Sequence, residues 1–314
     1  MLADVRHQDE SVLFLRGVIE GRVTSPLLLL GQEGTGRRYA ALQTIQELFC
    51  SGTREASCPC VDCLWVQQAL HPDLTVLYPQ DGKDIGVDAI RNLLDVAQTY
   101  PSQARFRAFL IDGADRLTPP AANALLKTLE EPPSTARFFL LAESAAQVLP
   151  TIRSRCGVLN FRPLPESFLL AGLQKFESDP TKALVLARLS EGSIGRAIQY
   201  WGSGRLALRD KALSLLTAAQ ARDVAGVFLT VEQLEKELPL LLRFLNTLLH
   251  DLLILGVSPN HLINADKATE LQKLRAPSSG WHSLQTSLRG LLDTQTRIQL
   301  PFHVKAILLE AFGV

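Results

Sequence analysis

The sequence predicts an α/β protein in which a parallel β-sheet covered by helices is followed by helical domains. The first observation is a set of four short apolar runs, separated by stretches of helical spacing. The second is that these runs are nearly continuous in apolar residues, which is typical of strands buried on both faces of a parallel sheet. The third is that no such run follows Pro163, where helical patterns take over.

Each predicted element has a local reason in the sequence. The four apolar runs predict strands at residues 26–31, 73–79, 106–112 and 137–143. Helical spacing predicts helices over residues 37–50, 87–100 and 119–133. The last of these begins with two prolines, which fit the first turn of a helix because their missing N–H is not needed there, and it ends at Pro132 and Pro133.

The second half of the chain is predicted to be helical. Three short helices are predicted within residues 166–201, and the polar break at residues 202–205 separates them from a longer helical region. Its most apolar segment, from Leu238 to Val257, also contains Arg243 and a few other polar residues, so it is predicted as core helix rather than as a membrane span.

These breaks predict three domains. They are an α/β domain over residues 1–162, a small helical domain over residues 163–205 and a helical C-terminal domain over residues 206–314. A length of 314 residues fits this division, since domains usually contain roughly 100–200 residues.

Charge and composition exclude some classes of function. Lys and Arg total 32 and Asp and Glu total 32, so no overall charge attracts nucleic acid or anionic lipid, and any DNA contact would need a local patch. The charged start, MLADVRHQDE, lacks the apolar segment of a signal peptide, and a cytoplasmic location is predicted. Four of the five cysteines lie within residues 50–63, which in such a protein favours metal binding or free thiols over disulfides.

A glycine-rich stretch, GQEGTGRR, follows the first strand and precedes the first helix. Gly31, Gly34 and Gly36 fit the phosphate-binding pattern G-x-x-x-x-G-K-[ST], but Arg37 occupies the Lys position and Arg38 the Ser/Thr position. In a working loop the Lys contacts the phosphates and the hydroxyl binds Mg²⁺, which a guanidinium cannot do because it has only donors. The stretch is predicted to be a degenerate nucleotide site, and the alternative is a simple glycine-rich turn.

The third predicted strand ends in Asp112, and Gly113 follows it. In nucleotide hydrolases of this kind an Asp at this strand end engages Mg²⁺, and the next residue is often a Glu that activates water. Glycine has no side chain that could accept a proton. Loss of the metal ligand in the loop and of the base after the strand together predict a protein that does not hydrolyse nucleotide; the alternative is that Asp112 only begins a turn.

One long segment carries a family resemblance. The stretch DGADRLTPPAANALLKTLEEPPSTARFFLLAESAAQVLPTIRSRC resembles the AAA+ clamp-loader subunits of bacterial DNA polymerase III, with NALLKTLEEPP and TIRSRC as its most specific strings. CPCVDC…HPD and EGSIGRA match as well, so the resemblance runs from about Leu27 to Ala197. The segment PFHVKAILLEAF is similar to the last helix of the family.

The resemblance implies an architecture and a set of partners. The α/β domain and a helical lid would form an AAA+ module, and a helical collar domain would join a hetero-pentameric ring. The implied partners are the gamma/tau and delta subunits of that ring and, through the ring, the sliding clamp and primer–template DNA. Such a ring opens the clamp and places it on DNA, using ATP bound at the subunit interfaces.

The resemblance also implies roles for single residues. Arg155, in the SRC motif, would reach the ATP site of a neighbouring subunit as an arginine finger, which typically adds ~10³–10⁵ in rate by stabilising the transferring phosphoryl group. Arg196 matches the position from which an active member directs a lid arginine at its own nucleotide. Ser144 lies near the position of a polar sensor residue, with Glu143 beside it as a departure. Read without the family, Arg155 is a surface arginine in a loop.

Cys50, Cys58, Cys60 and Cys63 correspond to the four-cysteine zinc module of the family, which implies a structural Zn²⁺ held by four thiolates. The spacing here is C-x7-C-x-C-x2-C, whereas the family uses C-x8-C-x2-C-x2-C, so the second step is tighter. His71 is predicted to cap the following strand and not to bind the metal.

Three functional hypotheses follow. The favoured one is a non-hydrolysing clamp-loader subunit that supplies an arginine finger, with binding of ATP to its own degenerate site left open. The second is an ATPase motor subunit of the same complex, in which Arg37 replaces the lysine. The third, a stand-alone zinc DNA-binding module, is disfavoured by the neutral charge and the long α/β region.

Overall fold

The computed structural model describes residues 2–55, 58–80, 82–221, 223–234 and 237–274. It divides into two compact units, one made of the residues up to Pro165 with Gly192–Gly195 and one made of Glu166–Glu191 with the residues from Arg196 onward. The segment PFHVKAILLEAF lies outside the described residues. The division of the chain into three domains remains a prediction.

The first unit contains a five-stranded sheet. Its strands are β1 (Leu27–Leu30), β2 (Leu74–Leu77), β3 (Arg107–Asp112), β4 (Ala136–Ala142) and β5 (Gly157–Asn160). Its helices are α1 (Asp9–Ile19), α2 (Arg37–Phe49), α3 (Val61–Gln67), α4 (Val87–Ala97), α5 (Pro119–Glu130) and α6 (Pro150–Arg153). All neighbouring strands are parallel, in the order β2–β3–β4–β1–β5. The predicted α/β class with a parallel sheet is confirmed.

The continuous apolar strands have the predicted cause, since both faces of the sheet are covered. All four leucines of β1 are buried, with Leu28 and Leu30 packing on one face and Leu27 and Leu29 on the other. Helices α4, α5 and α6 supply the first of these cores, and α1, α2 and α3 supply the second. Such burial leaves only the ends of the strands for polar chemistry.

β5 is the difference between the predicted and the observed sheet, because the sequence patterns predict four strands. It is a strand of four residues that, in the part of the chain the structure describes, lies at the edge of the sheet and pairs with β1 alone. Leu159 is its only buried residue, so β5 lacks the apolar run that identifies the other strands.

The second unit is helical in its described part. Its helices are α7 (Glu166–Leu173), α8 (Pro180–Leu189), α9 (Ile194–Gly202, whose first two residues belong to the first unit), α10 (Leu206–Gln220), α11 (Val224–Gln233), α12 (Leu238–Ile254) and α13 (Ala268–Lys273). The apolar helix α12 is buried along much of its length, as predicted for a core helix. Within it Asp251 is fully buried, and its carboxylate accepts the backbone N–H groups of Ile263 at 2.8 Å and Asn264 at 2.6 Å. Among the described residues, no helix combines the length and the apolar character needed to cross a membrane.

Candidate functional site

The glycine-rich loop connects β1 to α2 at the carboxyl edge of the sheet, where parallel α/β proteins bind ligands. Gly31 has φ 154°, and a Cβ there would lie 2.5 Å from the carbonyl oxygen of Phe161. Gly34 has φ 79°, and its Cβ would lie 3.0 Å from the backbone nitrogen of Gly195. The loop therefore needs glycine at both positions, for backbone conformation and for close packing.

Arg37 is the first residue of α2 and is 8% exposed. Its Nη1 donates a hydrogen bond to the carbonyl oxygen of Gly31, the first residue of the loop. The guanidinium at the Lys position is thus bonded to the loop itself. This internal bond satisfies a donor that would otherwise be directed at a phosphate.

Arg38, at the Ser/Thr position, pairs with the aspartate at the end of β3. Its Nη1 lies 2.9 Å from Oδ2 of Asp112, and the two side chains are 48% and 19% exposed. The side chains of Arg38 and Asp112, at the two positions that would hold Mg²⁺ in a working site, therefore neutralise each other's charge. A guanidinium offers donors only, so it satisfies Asp112 without creating a metal site.

The position after Asp112 is constrained to glycine by its backbone. Gly113 has φ 111°, and a Cβ there would lie 2.9 Å from Cγ of Pro79. A glutamate at this position would require both a strained backbone and movement of the proline ring. The backbone conformation and the contact with Pro79 therefore account for the absence of a glutamate base at this position.

Two polar residues follow β4 at the same edge. The hydroxyl of Ser144 accepts a hydrogen bond from the N–H of Ala146 at 3.3 Å, which caps a short 3₁₀ turn. The backbone N–H of Glu143 donates to Oδ2 of Asp115 at 3.2 Å. Carboxylates at this strand end repel phosphate. The sensor role of Ser144 remains a prediction.

Arg155 lies just after α6 and is held by contacts within its own unit. Its Nε and Nη2 donate to Oε2 of Glu130, at 3.0 and 2.7 Å, and its Nη1 donates to the carbonyl oxygen of Thr151 at 3.1 Å. The Arg155 side chain is 31% exposed and that of Glu130 is 60% exposed. The guanidinium is therefore oriented at the protein surface. Its role as a finger remains a prediction.

Arg196 belongs to the second unit, in helix α9. Its Nη1 lies 2.8 Å from Oε2 of Glu191, and the same carboxylate oxygen lies 3.7 Å from Nη1 of Arg243. The structure thus places Arg196 in a small ion-pair network of that unit. Its predicted role towards nucleotide stays a prediction.

The four predicted zinc ligands come together at the start of α3. The sulfur atoms of Cys50, Cys58, Cys60 and Cys63 all lie within 4.8 Å of one another. Cys50 Sγ is 3.6 Å from Cys58 Sγ and 3.9 Å from Cys60 Sγ. A tetrahedral Zn²⁺ with Zn–S bonds of ~2.3 Å separates its sulfur ligands by about 3.8 Å, so the donor set fits this ion. The shortened spacing does not prevent convergence.

Close packing at Gly52 allows this convergence. A Cβ on Gly52 would lie 2.6 Å from Cys58 Sγ and 3.3 Å from Cys60 Cβ. Burial raises the pKa values of Cys50 and Cys63, whereas the backbone N–H of Cys60 lowers the pKa of Cys58 to about 6. Metal binding requires all four as thiolates, so it would release protons from the two high-pKa thiols.

A series of polar side chains lies beside the cysteine cluster. Ser51 Oγ donates to Oδ2 of Asp62 at 2.6 Å, and Oδ1 of Asp62 lies 3.4 Å from Nε2 of His71. The backbone N–H of Asp73 donates to Nδ1 of His71 at 3.0 Å, so the buried histidine caps the start of β2, as predicted. His71 is not part of the four-sulfur cluster.

Two carboxylates beside these sites are not among the residues predicted from the sequence. Glu130 binds Arg155 from the end of α5, and Asp62 accepts a hydrogen bond from Ser51 and lies 3.4 Å from Nε2 of His71. Glu130 is 25 residues from Arg155 in the chain, and no spacing rule connects them. Asp62 lies between two of the cysteines, and this position is the signal in the sequence that points to it.

Comparison with known proteins decides the family. Residues 7–165, about half of the chain, match the protein family described as DNA polymerase III, delta subunit. The chain belongs to this family. Its predicted resemblance to the DNA polymerase III clamp-loader subunits is confirmed at the level of the family.

Individual relatives match over parts of their length. DNA polymerase III subunit delta' of Haemophilus influenzae is 39% identical over 142 residues, which is 45% of this chain and 43% of the relative. The delta' subunit of Escherichia coli is 35% identical over 182 residues, which is 57% of this chain and 54% of the relative. DNA polymerase III subunit tau of Escherichia coli is 30% identical over 300 residues, which is 86% of this chain and 46% of the relative. The matched part of the chain thus spans about half the length of these relatives.

Proposed function

We propose that this chain is a delta-prime subunit of a bacterial clamp loader, a cytoplasmic protein that retains a nucleotide-type fold without hydrolysing ATP. The observation that carries the proposal is the ion pair between Arg38 and Asp112, 2.9 Å apart at the carboxyl edge of the sheet. Membership in the delta subunit family and the two relatives named delta' support the same assignment.

The ion pair argues against hydrolysis through metal chemistry. Mg²⁺ bridges the β- and γ-phosphate oxygens in nucleotide hydrolases and neutralises the charge that develops there. The hydroxyl that would hold the ion is replaced by the guanidinium of Arg38, which repels a cation and occupies Asp112. Gly113 supplies no base, and the backbone conformation at that position disfavours any other residue.

The alternative function is an active ATPase motor subunit of the gamma/tau kind. It is favoured by the 30% identity to the tau subunit of Escherichia coli and by the cation that Arg37 keeps in the loop. Against it, the Arg37 guanidinium is bonded to the carbonyl oxygen of Gly31. The Nη1 group of Arg37 is therefore engaged within the loop, and Arg38 at the next position offers no ligand for Mg²⁺.

In this proposal the catalytic contribution of the subunit is made in trans. Arg155 is partly exposed and oriented by Glu130 and Thr151, so its guanidinium is ordered before a neighbour arrives. An arginine supplied by a partner stabilises negative charge on the transferring phosphoryl group. The neighbour would be a gamma/tau subunit, and the delta subunit would complete a hetero-pentameric ring joined by residues 206–314. That ring would load the sliding clamp onto primer–template DNA.

The cysteine cluster is proposed to hold a structural Zn²⁺. Four sulfur donors fill a tetrahedral coordination shell and leave no open position, which is typical of structural rather than catalytic sites. The ligands join Cys50, which follows α2, to the segment that begins α3. A bound ion would therefore fix this connection, where the buried cluster consists of the cysteines themselves.

The decisive experiment is hydrolysis of Mg-ATP by the purified chain, with protein in excess over nucleotide. No phosphate release above the buffer rate is expected, because the metal ligand and the base are both missing. Asp112→Asn is the matched variant, and it is expected to behave like the wild type. Clear turnover that Asp112→Asn abolishes would identify an active motor and overturn the proposal.

A further inference from the structure

A cavity lies at the opposite edge of the sheet from the glycine-rich loop. It has a volume of about 690 Å³, and its lining includes Thr24, Arg105, Phe106, Pro132, Pro133 and Arg137. These residues precede β1 or β3 or surround the beginning of β4, so the cavity is at the amino-terminal edge of the central strands. The six residues of β3, at ~3.3 Å each, place it about 20 Å from the site at the carboxyl edge.

Arg137 brings a buried cation to this cavity. The residue is 7% exposed, and its Nη1 donates to the carbonyl oxygens of Ser134 at 2.9 Å and Ala136 at 2.8 Å. Its Nε is buried and has no hydrogen-bond partner among the described residues. Burying a guanidinium without a counter-ion is costly, so the cavity has an electrostatic deficit that an anion would remove.

Arg105 adds a second cation beside the first. The Cζ atoms of Arg137 and Arg105 lie 4.1 and 5.0 Å from the centroid of the same ring, that of Phe106. The two guanidiniums therefore cannot be farther apart than these two distances together. Burial and, secondarily, the charge of Arg105 lower the pKa of the Arg137 guanidinium.

No carboxylate of the described residues compensates these two charges. Neither Arg105 nor Arg137 forms an ion pair within the described ranges. Glu20 lines the cavity, but its Oε2 accepts a hydrogen bond from Nε of Arg22 at 2.7 Å and is neutralised there. The cavity is thus lined by two guanidinium-bearing residues, of which Arg137 has its Nη1 bonded to backbone carbonyls, next to walls formed by prolines and by the aliphatic residues Val18 and Ile19.

We propose that this cavity binds a small molecule that carries a phosphate monoester group. A phosphate monoester carries about −1.5 to −2 charges at neutral pH, which matches two guanidiniums, whereas one carboxylate would neutralise only one of them. Planar guanidinium forks bind phosphate oxygens in pairs. The volume falls within the ~300–1,000 Å³ of small-molecule sites, and the apolar walls suit the remainder of such a ligand.

The test is titration of the intact protein with inorganic phosphate and with adenosine 5′-monophosphate, followed by calorimetry and by ¹⁵N spectra of the arginine Nε–H groups. Saturable binding of the nucleotide is expected, with a shift of the Arg137 resonance. Arg105→Gln is expected to weaken binding roughly tenfold, as loss of a charged hydrogen-bonding partner does. Arg105 is exposed, so the variant is expected to fold.

Two matched variants make the test specific. Arg91→Gln removes the same charge from the exposed face of α4, where Arg91 is 67% exposed, and is expected to leave the affinity unchanged. Arg38→Gln alters the glycine-rich loop and is expected to have no effect either. Absence of saturable binding would overturn the inference. Loss of binding in Arg38→Gln but not in Arg105→Gln would do so as well, and equal affinity for succinate would overturn the choice of phosphate.

Discussion

Asp73 lies beneath the loop that leads into β3, and its carboxylate is fully buried. Oδ1 accepts the backbone N–H of Ser102 at 2.6 Å, and Oδ2 accepts those of Gln103 and Ala104, both at 2.8 Å. Burial raises the pKa of Asp73, but the three N–H donors and the nearby charge of Arg107 outweigh it and lower the pKa below its usual range. The carboxylate is therefore a stabilising anchor for this loop.

Asp73→Asn is predicted to destabilise the first unit. The amide keeps one acceptor oxygen, which can serve Gln103 and Ala104, but its NH₂ group then faces the N–H of Ser102. One charged hydrogen bond is lost and one buried donor is left without an acceptor. Charged hydrogen bonds contribute ~1.5–3 kcal/mol and an unsatisfied donor costs ~1–3 kcal/mol, so a loss of about 3 kcal/mol is expected. For a unit of this size Tm would fall by roughly 6–12 °C.

Thermal and urea unfolding of the two proteins measure this difference, with Asp88→Asn as the control. Asp88 is 89% exposed and, among the described residues, pairs with Arg91 alone at the surface, so its replacement is expected to change stability by less than ~0.5 kcal/mol. If Asp73→Asn is no more destabilising than Asp88→Asn, the loop is not anchored by this carboxylate.

The difference in stability between the wild type and Asp73→Asn is predicted to depend on pH. The pKa of Asp73 is lower in the folded state, so its stabilisation is fully present above the unfolded value of ~4 and is lost as the pH falls through the folded value. The stability gap between wild type and Asp73→Asn should therefore narrow in acid. A gap that stays constant from neutral pH down into that range would refute the assignment.

Three further predictions concern the other sites. Under the proposed function, Arg155→Ala should leave assembly of a reconstituted complex intact and slow ATP hydrolysis at the facing site by roughly 10³-fold or more, with Arg153→Ala as the control; unchanged turnover would remove Arg155 from the proposed mechanism. Cys63→Ser should lower bound zinc below one ion per chain in metal analysis, and full zinc content would contradict the site. Gly52→Ala, whose methyl group would lie 2.6 Å from Cys58 Sγ, should lose zinc to a chelator about 10–100-fold more readily than Gly86→Ala, whose methyl meets nothing within 4 Å.

Much of the candidate site could be predicted because its functional residues occur in short sequence motifs. The glycines before α2, the aspartate that ends β3 and the clustered cysteines each carry a local pattern. The pairing of Arg38 with Asp112 could not be predicted in this way, since 74 residues separate them and only the strand order brings them together. The ion pair that orients Arg155 likewise joins residues that are distant in the sequence, here at the end of α5 and just after α6.

The fold shows the same division. The buried central strands are recognisable in the sequence by continuous apolar runs. Three of the four residues of β5 are exposed or partly exposed, so this strand carries no such signal. The cavity at the amino-terminal edge is assembled from three separate stretches that precede different strands. No single window of sequence contains it, so only the assembled sheet reveals Arg105 and Arg137 as neighbours.

The contact between Arg155 and Glu130 has a consequence for timing. Arg155 is already paired with Glu130, so binding of its guanidinium to another molecule exchanges one anionic partner for another. Glu130 offers a single negative charge in contact with solvent, so a more highly charged group, such as the triphosphate of a bound nucleotide, would attract the guanidinium more strongly. Under the proposed function, the guanidinium would therefore transfer when the neighbouring site is loaded and return to Glu130 when it is empty. Occupancy of the neighbour would be read by a competition that is built into the surface of this chain.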